Sequence, residues 1–199
     1  MCYKEDAFDN YDIILCVGQH QIDEITKAEK IRNLPSKTKL KYTHQKIQDI
    51  QNLNISQNTS KNVIIASSWG PGSIIESCNT DFFENILSTK FNFYLQLHPM
   101  TKENKEVKPD LKYLKNKYDN FDFSYDHKSI DEISKFYTMI SEWSGAITEF
   151  SLGFLRPVIF LNTPKKIRNH NYEILGLTPL EVSIREKLGI VVENSSNIN

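Results

Sequence analysis

The sequence has few cysteines, no long apolar run and almost no net charge, and each absence excludes a class of protein. Its three cysteines, Cys2, Cys16 and Cys78, form neither an even disulfide framework nor a Cys-x-x-Cys metal motif. The longest apolar runs, residues 13–17 and 158–161, are far shorter than the roughly 20 residues of a membrane-spanning helix. The charged first residues lack the apolar segment of a secretory signal. The sequence therefore predicts a cytoplasmic chain that is soluble or peripheral to a membrane.

Charge and known motifs exclude further functions. The 24 lysine and arginine residues are balanced by 25 aspartate and glutamate residues, so the formal net charge is −1. Nucleic-acid binding needs clustered positive charge, and a DNA or RNA partner is therefore disfavoured. The sequence also lacks the Gly-x-Gly-x-x-Gly fingerprint, the P-loop, the Asp-x-Asp pair and the His-Glu-x-x-His motif. It predicts no cofactor and no metal site.

What the sequence does contain is a regular alternation of short β-rich segments and helical patterns, which is typical of parallel α/β sheets. Strands are predicted near residues 12–17, 40–42, 63–66, 91–97, 121–124, 158–161 and 190–192, with a further strand that ends near residue 140. Helices are predicted to begin near residue 79 and at a capping box at 129–132, and to cover residues 103–117, 144–155 and 179–188. The predicted fold class is α/β, with a Rossmann-like doubly wound parallel sheet. Such sheets bind ligands at the carboxyl ends of their strands.

Three loops at predicted strand ends carry residues suited to phosphate binding. Ser144 can cap the helix that follows it, and Gly145 lets backbone N–H groups approach an anion. His98 precedes a proline and can hydrogen-bond a phosphate or carry a proton. Ser67 and Ser68 begin a small, hydroxyl-rich loop. Each feature alone also fits an ordinary capping turn or loop histidine, but together at one sheet edge they favour a shared ligand.

Two further features have an equally simple alternative. Glu149 lies early in the helix after Ser144, where it can reach a ribose hydroxyl or merely complement the helix dipole. Lys165, Lys166 and Arg168 follow a predicted strand. These basic residues can steer an anionic donor or an acidic lipid surface, or they form a solvated loop.

An ordered set of motifs resembles a known family. Residues 140–150 read Ile-Ser-Glu-Trp-Ser-Gly-Ala-Ile-Thr-Glu-Phe, and residues 156–160 read Arg-Pro-Val-Ile-Phe. Upstream, residues 66–69 read Ala-Ser-Ser-Trp, and His98 is followed by proline. Across residues 63–192 this order and spacing resemble the CDP-glycerol glycerophosphotransferases, the teichoic-acid-type polymerases and primases of bacterial envelopes. Glu142, Trp143 and Gly145 depart from the family's Asp, Tyr and second Ser, which removes one hydroxyl ligand for phosphate.

The resemblance implies the C-terminal, donor-binding half of a GT-B fold, with the N-terminal half largely missing. Residues 1–61 would then be a remnant of the end of the acceptor-side domain plus a linker. Residues 62–193 would be the Rossmann-like nucleotide-donor domain, and residues 194–199 a frayed tail. His98 would be the catalytic residue. The donor-binding residues implied by the resemblance are Ser67, Ser68, His98, Ser144 and Gly145, with Glu149 near the glycerol or ribose.

The implied function is the transfer of glycerol phosphate, or a related polyol phosphate, from a CDP-activated donor to a hydroxyl of a cell-envelope polymer or glycolipid acceptor. The expected location is the inner face of the bacterial cell membrane. Because the acceptor-side half is short, the chain is expected to be a fragment that can bind donor without turning it over. Two alternatives stay open: a GT-B glycosyltransferase that uses a nucleotide sugar, and a non-catalytic nucleotide-binding remnant.

Overall fold

The computed structural model describes residues 2–53, 55, 60–103 and 107–193. Its first four elements form a small β-α-β-α unit. Strand β1 (Ile13–Cys16) pairs in parallel with β2 (Thr38–Lys41), helix α1 (Gln19–Ile31) connects them, and α2 (Gln45–Asn52) follows. We call the pair and its connecting helix the β1–β2 unit.

The remaining strands form one parallel sheet. They are β3 (Asn62–Ala66), β4 (Asn92–Gln96), β5 (Phe121–Ser124), β6 (Thr138–Ser141), β7 (Val158–Asn162) and β8 (Gly189–Glu193). Their order is β5–β4–β3–β6–β7–β8, and every pairing between neighbours is parallel. The order runs outward in both directions from the β3–β6 pair, as in Rossmann-like doubly wound sheets. The predicted fold class is confirmed.

Helices flank the sheet on both faces. They are α3 (Ile74–Ser77), α4 (Thr80–Leu87), α5 (Leu111–Lys117), α6 (Ile130–Ile133), α7 (Gly145–Phe154), α8 (Leu180–Ser183) and α9 (Arg185–Leu188), with 3₁₀ turns at Pro99–Glu103 and Tyr172–Leu175. Side-chain caps explain several starts. Asn79 accepts the Phe82 N–H at the start of α4, and Ser129 and Glu132 form the predicted capping box of α6.

The core consists of two apolar layers, one on each face of the six-stranded sheet. Because side chains alternate along a strand, Val63 and Ile65 of β3 join the layer that contains α4 and α5. Ile64 and Ala66 join the layer that contains α7. A strand with consecutive buried apolar residues, such as residues 63–66 of β3, is typical of a parallel sheet covered on both faces.

Two helix predictions need correction. The helix predicted over residues 103–117 is wrong in its first part, since residues 107–110 are not helical and residues 104–106 lie outside the described chain. Asp110 instead caps α5 by accepting the Tyr113 N–H, directly after Pro109. The helix predicted over residues 179–188 is two short helices that meet at Ile184. Strand β2 also begins earlier than predicted.

The position of α2 bears on the predicted domains. By sequence α2 lies in the 1–61 segment, but it packs against α7 of the larger half. A Cβ on Gly153 of α7 would lie 2.9 Å from the side chain of Ile50, which is buried. The Gln51 amide also donates to the Leu152 carbonyl at 2.8 Å. The boundary at residue 61 stays a prediction, and the tail at 194–199 lies outside the described residues.

Candidate functional site

The predicted phosphate-binding loops follow β3, β4 and β6, so they meet at one edge of the six-stranded sheet. Strands β3 and β6 are the neighbours at which the strand order reverses, and ligands of such sheets bind outside the carboxyl ends of these strands. Ala66 pairs with Ser141 at the end of the register. The loop that begins at Ser67 therefore lies beside the loop that begins at Glu142.

A hydrogen-bonded group around a buried carboxyl, which we call the switch-point cluster, joins Ser68, Glu142 and Lys166. The Glu142 side chain is fully buried, and its Oε1 accepts the Ser68 N–H at 2.8 Å and the Ser68 hydroxyl. Lys166 Nζ donates to Ser68 Oγ and, at 2.6 Å, to the carbonyl of Trp69. Its distance to Glu142 Oε1 is 4.0 Å. The loop after β7 thus delivers a cation to the loop after β3.

Burial changes the proton affinity of both charged members of the cluster. It raises the pKa of Glu142 above the ordinary value, although the two hydrogen bonds from Ser68 and the charge of Lys166 oppose the shift. Burial lowers the pKa of Lys166, with the carboxyls of Glu142 and Glu76 opposing. An anionic ligand at Lys166 would favour its charged form.

The N-terminus of α7 lies next to this cluster. Ser144 caps the helix by accepting the Ala146 N–H at 3.2 Å, as predicted from the sequence. Gly145 is exposed, and a Cβ built on it would meet no atom within 4 Å. The first N–H groups of a helix lack partners within the helix and attract anions. The open space at Gly145 therefore gives a ligand access to these groups.

A cleft separates the two sheets at this edge. Its volume is about 580 Å³, within the range of small-molecule sites. On one side its wall includes Gly18 and His44, which follow β1 and β2. On the other side it includes Trp143, Gly145 and Lys166. The carboxyl ends of both parallel sheets therefore face one cleft.

The structure does not bring all the predicted residues to the cleft wall. Gly145 and Glu149 line it, and Ser68 reaches it through Lys166. Ser67 is buried behind the wall, where its N–H donates to the Gln96 carbonyl at 3.0 Å. Ser144 lies one residue before the wall residue Gly145, as the helix cap.

His98 follows β4 by two residues and is not among the residues that line the cleft. Its ring centroid is 6.0 Å from that of Trp69, and its Nδ1 accepts the Met100 N–H at 3.2 Å. Burial lowers the pKa of His98 below its ordinary value, and the charges of His127 and Lys166 act in the same direction. Both effects favour the neutral imidazole in the ligand-free protein. A catalytic role for His98 stays a prediction.

Glu149 of α7 lines the cleft and contacts two residues at the start of α2. Its Oε2 lies 2.5 Å from Lys46 Nζ, and its Oε1 lies 3.8 Å from His44 Nε2. Both partners come from the start of α2. A ligand that binds Glu149 would compete with these contacts, and the predicted ribose contact stays a prediction.

Sequence reasoning missed Arg185. It lies in a short, charged helix, a pattern typical of an exposed face, yet it is only 4% exposed and its guanidinium lies 4.1 Å from the centroid of the Trp143 ring. Glu142 was noted only as a departure from a family motif, and Lys166 only as one of several basic residues. No local signal distinguishes these three from surface charges, because their contacts come from distant segments.

Within the described residues, no three His, Cys, Asp or Glu side chains come together as metal ligands, and no helix is long and apolar enough to cross a membrane. Comparison with known proteins gives no significant match to any family model, curated protein or solved structure. The family resemblance therefore stays a prediction that depends on the motifs.

Proposed function

We propose that the chain binds a CDP-activated glycerol phosphate, or a related polyol phosphate, and is the donor half of an enzyme that transfers it to a hydroxyl of a cell-envelope polymer or glycolipid. The observation that carries the proposal is the cleft between the carboxyl ends of two parallel sheets. The N-terminus of α7 and the Lys166 ammonium lie on one wall of that cleft. This combination suits a diphosphate.

The reaction would be a substitution at phosphorus. The acceptor hydroxyl oxygen attacks the β-phosphorus of the donor, and a new P–O bond forms. The bond from this phosphorus to the bridging oxygen breaks, CMP leaves with that oxygen, and the hydroxyl proton passes to water or to a base in the cleft. Catalysis of this kind depends on positioning and on stabilising charge at the phosphate oxygens.

The residues divide these tasks between them. Lys166 would offset the charge that develops on the departing CMP, and the N–H groups at Gly145 would bind the diphosphate oxygens. Glu142 and Ser68 would hold the Lys166 ammonium in place. Burial lowers the pKa of His98, and a bound dianion would raise that pKa and so favour the charged imidazole. The acceptor would approach from the wall that carries Gly18 and His44.

The acceptor chemistry implies a location. A polymer or glycolipid acceptor would hold the chain at the inner face of the cell membrane, with Arg168 at the cleft available for anionic groups. Whether turnover needs a longer acceptor-side half is a separate question from donor binding. Binding is therefore the first test.

The test is calorimetric titration of the chain with CDP-glycerol, with CMP and UDP-N-acetylglucosamine as comparators. We expect saturable binding of the two cytidine ligands. Lys166→Met should weaken CDP-glycerol binding about tenfold to a hundredfold, because it removes a charged hydrogen-bond donor. Lys165→Met is the matched control, because Lys165 is the adjacent exposed lysine and does not line the cleft. His98→Ala should weaken binding less, with the exposed His170→Ala as its control.

Each other outcome points to a different function. Preference for the uridine ligand would replace polyol-phosphate transfer with sugar transfer. Binding of CMP without release of CMP from CDP-glycerol, in the presence of a polyol-phosphate acceptor, would favour the non-catalytic alternative. No binding at millimolar concentrations would overturn the proposal.

A further inference from the structure

The cleft wall contains an aromatic ring, Trp143, close to the N-terminus of α7. Trp143 lines the cleft and is partly buried. Its indole Nε1 donates to the carbonyl of Thr163 at 2.9 Å. Arg185, which is not part of the cleft wall, lies against the ring with its guanidinium carbon 4.1 Å from the ring centroid. The ring is therefore held at its N–H and covered on one face by a cation.

The Arg185 guanidinium is in turn held by hydrogen bonds. Arg185 donates to the Leu161 carbonyl at 2.9 Å and to the Asn162 side chain at 3.0 Å. The Asn162 amide in turn donates to both carboxylate oxygens of Glu193, at 2.9 and 3.0 Å. The two hydrogen bonds of Arg185 hold its guanidinium against the indole, and the cation–π contact restrains the ring further. The arrangement produces a rigid aromatic surface.

The surroundings of Trp143 suit a planar heteroaromatic ring. Two residues further along the chain, Gly145 begins the helix whose N-terminus attracts phosphate. The segment that contains Leu180 and Ile184 adds apolar side chains to the same cleft. The helix N-terminus suits the phosphate of a nucleotide, and the aromatic ring two residues earlier suits its base.

We infer that Trp143 is the platform on which the nucleobase of the donor stacks, with Arg185 as its positioning residue. The inference rests on the proposed function, because it assumes that the cleft binds a nucleotide. It adds the residue that recognises the base, which neither the motifs nor the phosphate contacts identify. A stacking surface accepts any base, so this residue supplies affinity, and the choice of cytosine needs other contacts.

The first test uses the chain's own fluorescence. Only two tryptophans are present, so Trp69→Phe leaves Trp143 as the sole indole. We expect CMP to quench the remaining emission in a saturable way. Ribose 5-phosphate has the sugar and the phosphate without a base, and it should leave the emission unchanged. Equal quenching by both compounds, or calorimetric binding of CMP without quenching, would overturn the inference.

The second test measures affinity in variants. Trp143→Leu should weaken CMP binding about tenfold to a hundredfold, which is the range expected for loss of one base stack, and should leave weak ribose 5-phosphate binding unchanged. Tyr137→Leu is the matched control, because Tyr137 is a partly exposed aromatic residue at the opposite end of β6. If Trp143→Leu does not fold, Trp143→Phe is used instead, because it keeps a smaller ring. Its CMP affinity should be lower than that of the wild type, but by less than the loss expected for Trp143→Leu.

The two proposals fail in different ways. Wild-type affinity for CDP-glycerol in a folded Trp143→Leu protein would overturn the platform and leave the proposed function intact. Quenching by UMP or AMP with no cytidine binding would support the platform and overturn the proposed function. Absence of binding by every nucleotide would overturn both.

Discussion

The two parallel sheets differ in how completely their apolar surface is covered. In the six-stranded sheet, β3 is buried on both faces by separate helical layers. In the β1–β2 unit, Ile14 and Cys16 pack on Ile25 of α1. The opposite face is open, since Ile13 and Leu15 are 60% and 55% exposed. One sheet carries the core of the chain, and the other is covered on one face.

The difference bears on how the cleft is built. Parallel sheets are normally covered on both faces, and a two-stranded sheet has little stability of its own. The β1–β2 unit therefore depends on its neighbours. Helix α2, which follows β2, contacts α7 through the ion pair of Lys46 with Glu149 and the close packing of Ile50 on Gly153. The wall that carries Trp143, Gly145 and Lys166, which we call the donor wall after the proposed function, belongs to the six-stranded sheet. The opposite wall includes Gly18 and His44, which follow the strands of the less completely covered β1–β2 unit.

The largest expected effect is the difference in stability between a leucine variant of the six-stranded sheet and one of the β1–β2 unit. Leu95 in β4 is fully buried, and Leu95→Ala should cost about 2–5 kcal/mol of unfolding free energy because it leaves a cavity. Leu15→Ala in β1 makes the same chemical change at an exposed position and should cost less than about 0.5 kcal/mol. Equilibrium urea denaturation measures both values. Similar losses in the two variants would show that the β1–β2 unit is as well packed as the main sheet.

The next effect concerns the donor wall. Gly72 has a φ of +81°, and a Cβ there would lie 2.3 Å from the Pro164 carbonyl oxygen, so alanine would force apart the loops after β3 and β7. Gly70 has a φ of +77° but no atom within 4 Å of a Cβ. Gly70→Ala should therefore cost only the conformational penalty of about 1–2 kcal/mol. Gly72→Ala should cost more and, by displacing Lys166, should weaken nucleotide binding.

Thermal denaturation and CMP titration of the two glycine variants test this prediction together. Both variants share the backbone penalty, so the difference between them isolates the clash with Pro164. Equal stability and equal affinity would mean that the two loops separate without consequence for the site.

The sheet could be predicted from the sequence because its signals are local. Short apolar segments define β3 and β7, and caps such as Asn79 and Ser129 define helix starts. The parallel sheet also follows from the alternation of strands and helices. The prediction of a helix from residue 103 was wrong, because a charge-rich segment resembles the exposed face of a helix. The Asp110 cap, directly after Pro109, makes the helix begin at Leu111.

The candidate site could be predicted only in part. The loops at Ser68, His98 and Gly145 were found because they follow strands, and strand ends are where such sheets bind ligands. The pairing of Ser68 with Lys166 joins residues 98 positions apart, and no local pattern encodes it. The same holds for Arg185 beneath Trp143, because a buried arginine in a charged helix looks exposed from sequence alone.

The smallest expected effect compares two buried carboxyls, one in each region. Burial raises the pKa of Glu142, so its protonated form is favoured on folding. Burial also acts on Glu29 of α1, but its contacts with Lys39 Nζ at 2.7 Å and the Lys37 N–H at 2.9 Å outweigh it and lower the pKa. The two residues should therefore give the stability of the chain opposite pH dependences, each at most about 1.4 kcal/mol per pH unit.

The signs follow from linkage. The raised pKa of Glu142 contributes stability below the unfolded-state pKa of 4.5, and this is lost as the pH rises through the folded pKa. Glu142→Gln should therefore gain stability relative to wild type as the pH rises above that value. The lowered pKa of Glu29 contributes stability above 4.5 that is lost as the pH falls, so Glu29→Gln should be less stable than wild type at neutral pH and approach it in acid. Urea denaturation of both variants across this range measures the two slopes. Slopes of the same sign would mean that Glu142 is as well compensated by Lys166 as Glu29 is by Lys39, and the donor wall would then hold a stable ion pair in the absence of ligand.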